Sequence, residues 1–132
     1  MKGTPSIVGI HHVTFSVTDL DRTIAWYRDV LGFAELRRLS IGGMDKAMLA
    51  RESLTLTLVA HGDKTVPGRF DERRVGLDHL SFAVADESAL QDWVRHLDEN
   101  HVTHSEVTQA TAGHLVAFRD PDNIALEFYT LT

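Results

Sequence analysis

Three side chains of types that bind metals lie on strand faces where hydrophobic packing does not need them. His12 lies in "GIHHVTFSV", His79 in "GLDHLSFAV" and Glu127 in "IALEFYTL". Because side chains alternate between the two faces of a strand, each of these residues is predicted to lie opposite the hydrophobic side chains of its segment. A carboxylate in mid-strand is costly to bury unless it is paired or metal-bound. Two histidines and one carboxylate form a facial ligand set with open positions, which is typical of reactive metal sites.

The same faces carry the residues expected to surround that site. Small or polar side chains are predicted to line a substrate cavity, namely Thr14, Ser16, Thr57, Ser81 and Ala117. Tyr129 shares a face with Glu127 and is a candidate to orient a ligand or donate a proton. His11 falls on the hydrophobic-face side of its strand, so we expect it to be structural or exposed. One alternative stays open at this point: both histidines bond backbone groups, and Glu127 pairs with an arginine.

An internal repeat indicates how these residues are positioned. The segment "GIHHVTFSVTDLDRTIAW", from Gly9, matches "GLDHLSFAVADESALQDW", from Gly76, at Gly, His, Phe, Val, Asp and Trp positions. His12 and His79 are therefore equivalent residues of two similar half-domains. By the same comparison, Thr57 stands in the first half where Glu127 stands in the second.

Each repeat predicts a strand, a helix and further strands. Asp19 is an N-cap candidate, Gly32 ends the first helix, and Asp86 caps the second helix. Further strands are predicted at "KAMLARE", "LTLTLVA", "HLVAFR" and "IALEFYTL". The sequence thus predicts an α+β fold of two roughly βαβββ modules in one domain over 1–132. The repeats cover about 8–62 and 76–132, and the linker is 63–75.

Composition excludes several functional classes. The chain has 132 residues, a formal net charge of -6 and no cysteine. Disulfides, thiolate metal sites and cysteine nucleophiles are therefore excluded. The acidic balance, without any cluster of lysine and arginine, argues against nucleic-acid and membrane partners and favours a small-molecule ligand. The N-terminal segment lacks the hydrophobic region of a signal peptide, so we expect a cytoplasmic protein.

Three segments together resemble the vicinal oxygen chelate superfamily, and the resemblance covers nearly the whole chain. They are "HHVTFSVTDLDRTIAWYRDVLGF", "GLDHLSFAV" and "FRDPDNIALEFY". This superfamily includes glyoxalase I, fosfomycin-resistance thiol transferases, extradiol dioxygenases and bleomycin-binding proteins. The resemblance implies two βαβββ modules that form a curved, half-barrel mixed sheet around a metal cavity. It places the metal ligands on His12, His79 and Glu127, as strand alternation does.

This sequence differs from the patterns of individual families in the superfamily, and these differences limit the reactions that we expect. Glyoxalase I resembles this chain but has a glutamate ligand where Thr57 stands. Thr14 matches the fosfomycin-resistance enzymes, yet their phosphonate-binding lysine and late arginine have no evident counterparts. The base and tyrosine of ring-cleaving dioxygenases fall near Leu54 and on Ala117, so standard catechol cleavage is not expected. Bleomycin-binding proteins usually lack the ligand set.

The ligand type then favours an oxygenase. Fe(II) is the commonest metal of two-histidine, one-carboxylate sites, with Mn, Ni, Co and Zn as alternatives. We therefore expect a dioxygenase-like enzyme that acts on an aromatic or polyphenolic small molecule. The alternatives are a metal-dependent lyase, isomerase or thiol transferase, and a non-catalytic drug-binding protein. A homodimer is expected, with each site built from one chain or from two exchanged chains.

The remaining histidines and the tryptophans are assigned simpler roles. His61 is expected at the surface at the end of a strand, and His114 is expected to face away from the site. Solvent exposure is expected for His96, His101 and His104. Trp26 and Trp93 occupy equivalent positions in the two helices, which indicates packing.

Overall fold

The computed structural model describes residues 3–132 and contains two similar halves. The elements of the first half are β1 (Val13–Ser16), α1 (Leu20–Leu31), β2 (Ala34–Ile41), β3 (Met44–Arg51) and β4 (Leu54–Ala60). The second half contains β5 (Leu80–Val84), α2 (Glu87–Glu99), β6 (Thr108–Gln109), β7 (His114–Arg119) and β8 (Ala125–Thr130). A short 3-10 turn, Gly62–Lys64, follows β4.

Each half folds as a βαβββ module with its own mixed sheet. The strand orders are β1-β4-β3-β2 and β5-β8-β7-β6, and the first-named pair in each sheet is parallel. The predicted α+β architecture is therefore confirmed. The sheets do not close, and β1 and β5 are edge strands with one unpaired side.

Helix α1 begins and ends at the residues that the sequence indicates. The Asp19 side chain accepts a hydrogen bond from the Arg22 N–H, which satisfies one of the free donors of the first turn. Gly32 ends the helix in the left-handed conformation, with φ of 74°. Ile24, Tyr27 and Leu31 are buried on one face of the helix.

Helix α2 repeats this construction on the second sheet. Asp86 accepts from the Ala89 N–H, and Leu90 and Leu97 are fully buried. The Trp93 ring stacks on Phe128 with centroids 4.3 Å apart, and Trp26 of α1 lies 6.3 Å from Phe118. Both tryptophans are thus partly buried against the core, as their repeated position predicts.

The two modules pack through the faces that carry the helices. Phe33 lies 6.3 Å from Phe82 across the interface between modules. The buried Tyr27 hydroxyl donates a hydrogen bond to Asp120, which accepts at 2.9 Å. This arrangement leaves the opposite faces of both sheets uncovered, and Thr14 and Ser81 are accordingly exposed.

Three of the four histidines expected at the surface, His61, His96 and His104, are instead half-buried. The His96 Nε2 lies 2.7 Å from the Val30 carbonyl oxygen of α1, so this side chain joins the two modules. His104 is held between the Ser105 carbonyl oxygen and the Asp98 carboxylate, each at 2.6 Å. Only His101 is exposed as expected.

Within residues 3–132, none of the helices has the length and hydrophobicity needed to span a bilayer.

Candidate metal and substrate site

Strand register places the predicted site residues in equivalent rows on the two sheets. Ser81 of β5 and Ala117 of β7 both pair with Glu127 of β8. In the first sheet, Thr14 pairs with Thr57. Thr57 therefore occupies the place of Glu127, as the repeat predicts. The second module carries two of the predicted ligands, His79 and Glu127, whereas the first carries one, His12.

His79 and Glu127 meet on the polar face of the second sheet. The His79 Nε2 lies 3.4 Å from Glu127 Oε1, and the Glu127 side chain is 14% exposed. The other ring nitrogen, Nδ1, lies 2.7 Å from the Asp78 carboxylate. The hydrogen bond to Asp78 raises the pKa of His79, and the negative charge of Glu127 raises it further.

The separation of these two groups suits ligands of one cation. Donors at about 2.1 Å from a metal, at an angle of about 105°, lie about 3.3 Å from each other. The nitrogen and oxygen are 3.4 Å apart. In the neutral tautomer with hydrogen on Nδ1, both atoms present lone pairs, so a metal ion satisfies them together. The pair therefore fits a divalent metal.

His12 lies apart from this pair. The side chain is exposed just before β1, and its Nδ1 is 2.8 Å from His11 Nδ1. His12 lines a groove of about 610 Å³ that also includes Ser81 of β5. Across residues 3–132, no three His, Asp or Glu side chains are placed to share a metal. One chain thus assembles two of the three predicted ligands.

The other candidates occupy several environments. Tyr129 is half-buried, and its hydroxyl oxygen accepts a hydrogen bond from the Ala112 N–H at 3.0 Å. His61 is half-buried, and its Nε2 lies 3.0 Å from the Ser16 hydroxyl. A cleft of about 520 Å³ is lined by His61, Ser16 and Thr14. No local pattern indicates the contact between His61 and Ser16, since it joins residues 45 positions apart.

Comparison with known families identifies the group to which this fold and site belong. The model of the Glyoxalase/Bleomycin resistance protein/Dioxygenase superfamily matches residues 9–128. The chain belongs to this superfamily. The resemblance found in the sequence is therefore confirmed.

Curated members similar to this chain are thiol transferases by name. Metallothiol transferase FosB of Staphylococcus saprophyticus is 28% identical, over 96% of this chain and 79% of the relative. A FosB of Staphylococcus epidermidis is 29% identical over 94% of this chain and 84% of the relative. The dioxygenase, iron and aromatic-substrate expectations receive no support from these relatives.

Solved structures give the same fold. A glyoxylase/bleomycin resistance protein/dioxygenase domain from Frankia sp. EAN1pec is 35% identical, with a TM-score of 0.87 over 95% of this chain and 93% of that chain. A glyoxalase family protein from Enterococcus faecalis is 26% identical, with a TM-score of 0.80 over 92% of this chain and 97% of that chain. The fosfomycin resistance protein FosX of Listeria monocytogenes, at 19% identity, matches with a TM-score of 0.74 over 94% of this chain and 92% of that chain. The FosX likeness shows a shared fold alone.

Proposed function

We propose that the protein is a divalent-metal-dependent transferase that adds a thiol to an electrophilic small molecule. The observation that carries this proposal is the His79 and Glu127 pair, whose spacing and lone pairs suit a metal. The names of the FosB relatives favour thiol transfer among the reactions of the superfamily. The absence of cysteine means that the thiol must come from a second substrate.

The complete metal site is assembled from two chains. His79 and Glu127 of one chain supply two ligands, and His12 of a second copy supplies the third. Two features support this arrangement. The modules of one chain pack through their helix-bearing faces, and β1 and β5 each keep one unpaired edge. Unpaired edges favour association with another strand, so a homodimer brings the polar faces of different chains together.

The donor set suits several divalent metals, of which we propose manganese. One carboxylate and two imidazoles provide borderline and hard donors without sulfur, which Mn(II) accepts. One FosX structure is a complex with Mn(II) and 1S,2S-dihydroxypropylphosphonic acid. Manganese therefore replaces iron as the metal that we propose for this chain.

The proposed reaction needs no oxidant or reductant. The thiolate sulfur forms a bond to an electrophilic carbon, such as an epoxide carbon, while the bond from that carbon to oxygen breaks. The oxygen then takes up the proton that the thiol released. A bound divalent metal supplies Lewis-acid stabilisation of the negative charge that develops on this oxygen.

Residues of the chain itself bind and orient the substrate. The hydroxyl groups of Thr14 and Ser81 are exposed on the polar faces of the two sheets, where they can donate hydrogen bonds to substrate oxygens. Glu127, mostly shielded from water, is positioned to hold the metal from a sheet rather than from a mobile loop.

A direct assay tests this function. Purified protein loaded with Mn(II) is incubated with glutathione or L-cysteine and with one of two model epoxides, fosfomycin or the uncharged styrene oxide, and mass spectrometry detects the adduct. We expect adduct formation that depends on the metal and is lost in Glu127→Gln. Glu99→Gln, which changes an exposed glutamate at the end of α2, is the matched control and should retain activity.

Two results would contradict the proposal. One is a purified protein that binds no divalent metal at all. The other is oxygen consumption with polyphenol substrates by the iron-loaded protein, without any thiol adduct from the manganese-loaded protein. The second result would restore the dioxygenase interpretation.

A further inference from the structure

The residue that precedes each ligand histidine contacts the ring of that histidine in both halves of the molecule. Asp78 Oδ1 lies 2.7 Å from His79 Nδ1, and His11 Nδ1 lies 2.8 Å from His12 Nδ1. In both contacts the ligand histidine uses the same ring nitrogen, Nδ1, at equivalent positions of the repeat. Neighbouring residues of a regular strand point to opposite faces, so this contact is not a consequence of strand geometry.

The backbone explains why neighbouring side chains can meet here. Residues 11, 12, 78 and 79 lie just before β1 and β5, outside the regular strands. Each segment follows a glycine with positive φ, Gly9 at 150° and Gly76 at 143°. These φ values favour glycine, and they allow each segment to enter its strand in the same way.

From these contacts we propose that His11 and Asp78 are positioning residues for the metal ligands His12 and His79. This inference rests on the proposed metal-dependent function. An ionised carboxylate only accepts hydrogen bonds, so Asp78 keeps the hydrogen of neutral His79 on Nδ1. The lone pair is then on Nε2, the nitrogen that faces Glu127. Hydrogen bonds of this kind fix the tautomer and ring orientation of metal-bound histidines.

In the first half, His11 takes the place of Asp78 and positions the ring of His12. In the contact between the two Nδ1 atoms, one nitrogen donates and the other accepts. His12 Nε2 has a lone pair for a metal when His12 donates from Nδ1 and His11 accepts. His11 is neutral in this role, whereas Asp78 carries a charge, so the first ligand has the weaker partner. His11 is exposed, as expected, and the inference adds this positioning role to it.

The inference is tested by calorimetric titration of metal-free protein with Mn(II). We expect His11→Ala and Asp78→Ala to weaken metal binding by about 10-fold or more, the usual effect of removing such a partner. His11→Asp places in the first half the partner that the second half already has, and it should bind Mn(II) at least as tightly as the wild type. His101→Asn and Asp63→Ala, which change exposed residues elsewhere, should have no effect.

A second measurement does not depend on metal. Long-range proton–nitrogen NMR spectra of the metal-free protein report the tautomer of each histidine, and Asp78→Ala should shift neutral His79 away from the Nδ1–H form. Thermal melts of the metal-free variants should match the wild type, because His11 and Asp78 are exposed.

The outcomes separate this inference from the proposed function. If His11→Ala and Asp78→Ala bind Mn(II) like the wild type while Glu127→Gln loses it, the positioning role is wrong and the metal site stands. If Glu127→Gln also binds like the wild type, or the wild type binds no metal, both the ligand set and the positioning role are wrong.

Discussion

Glu127 is the residue on which the metal interpretation depends most directly. Its carboxylate contacts His79 and no arginine or lysine in residues 3–132, so the alternative in which it pairs with arginine is not observed. Glu127→Gln keeps the side-chain volume and removes the charge. We expect a large loss of Mn(II) affinity in a calorimetric titration, with little change in the free energy of unfolding measured in urea. A purely structural ion pair predicts unchanged metal binding and a loss of about 3–5 kcal/mol of stability.

His104 predicts a pH dependence of stability that is separate from the metal site. The Ser105 carbonyl and the Asp98 carboxylate both accept hydrogen bonds, so both ring nitrogens carry hydrogen most readily in the charged imidazolium form. These bonds, first to Ser105 and then to Asp98, raise the pKa of His104. A raised pKa in the folded state stabilises the protein below the unfolded pKa of about 6.5, and that stabilisation is lost as pH rises through the folded pKa.

Comparison of the wild type with Asp98→Asn measures this contribution. The wild type should exceed the variant in unfolding free energy at about pH 5.5, and the difference should shrink by about pH 8.5. Urea denaturation at both pH values provides the measurement. A difference that stays constant, or that grows toward high pH, would show that the His104 charge does not stabilise the fold.

At the scale of elements, the turn before β8 depends on one buried carboxylate. Asp120 accepts hydrogen bonds from the Asp122 and Ile124 N–H groups and from the Tyr27 hydroxyl of α1. Burial raises the pKa of Asp120, although these bonds favour its charged form. The turn therefore connects the first helix to the strand that carries Glu127.

Removal of the Tyr27 hydroxyl tests this connection. Tyr27→Phe leaves the buried carboxylate short of one donor, which should lower the free energy of unfolding by about 1–3 kcal/mol. Tyr129→Phe is the matched control, because its hydroxyl bonds the N–H of an exposed residue, Ala112, that water can satisfy. Equal effects of the two substitutions in urea denaturation would contradict the role assigned to Tyr27.

The sequence predicts the local elements well because their signals are local. The caps at Asp19 and Asp86, the stop at Gly32 and strand alternation depend on neighbouring residues, and the structure confirms them. The repeat also predicts that Thr57 and Glu127 are equivalent, and the strand register confirms this. The partial burial of His61, His96 and His104 does not follow from local sequence, because it depends on contacts with other segments. Strand periodicity also does not predict the contacts of His11 with His12 and of Asp78 with His79, because these residues precede β1 and β5.

At the scale of the whole molecule, the uncovered polar faces support the proposal that two chains share each site. His12 belongs to one module, His79 and Glu127 belong to the other, and one chain does not bring the three together within residues 3–132. In a homodimer whose chains contribute ligands to each other's sites, each site takes His12 from one chain and the other two ligands from the second chain. This arrangement depends on contacts between two copies, which no local pattern within one sequence encodes.

Complementation between two inactive variants provides the test. His12→Ala and Glu127→Gln should each be inactive alone, because every site of either homodimer lacks one ligand. In a mixed dimer, the Glu127→Gln chain supplies His12 while the His12→Ala chain supplies His79 and Glu127, so one of the two sites is intact. Random pairing makes half of the dimers mixed, and co-expression should therefore restore about one quarter of wild-type metal binding and thiol transfer. If each chain formed its own site, co-expression would restore neither metal binding nor thiol transfer. A protein that is monomeric in sedimentation analysis and still binds Mn(II) through His12 would also contradict a site shared by two chains.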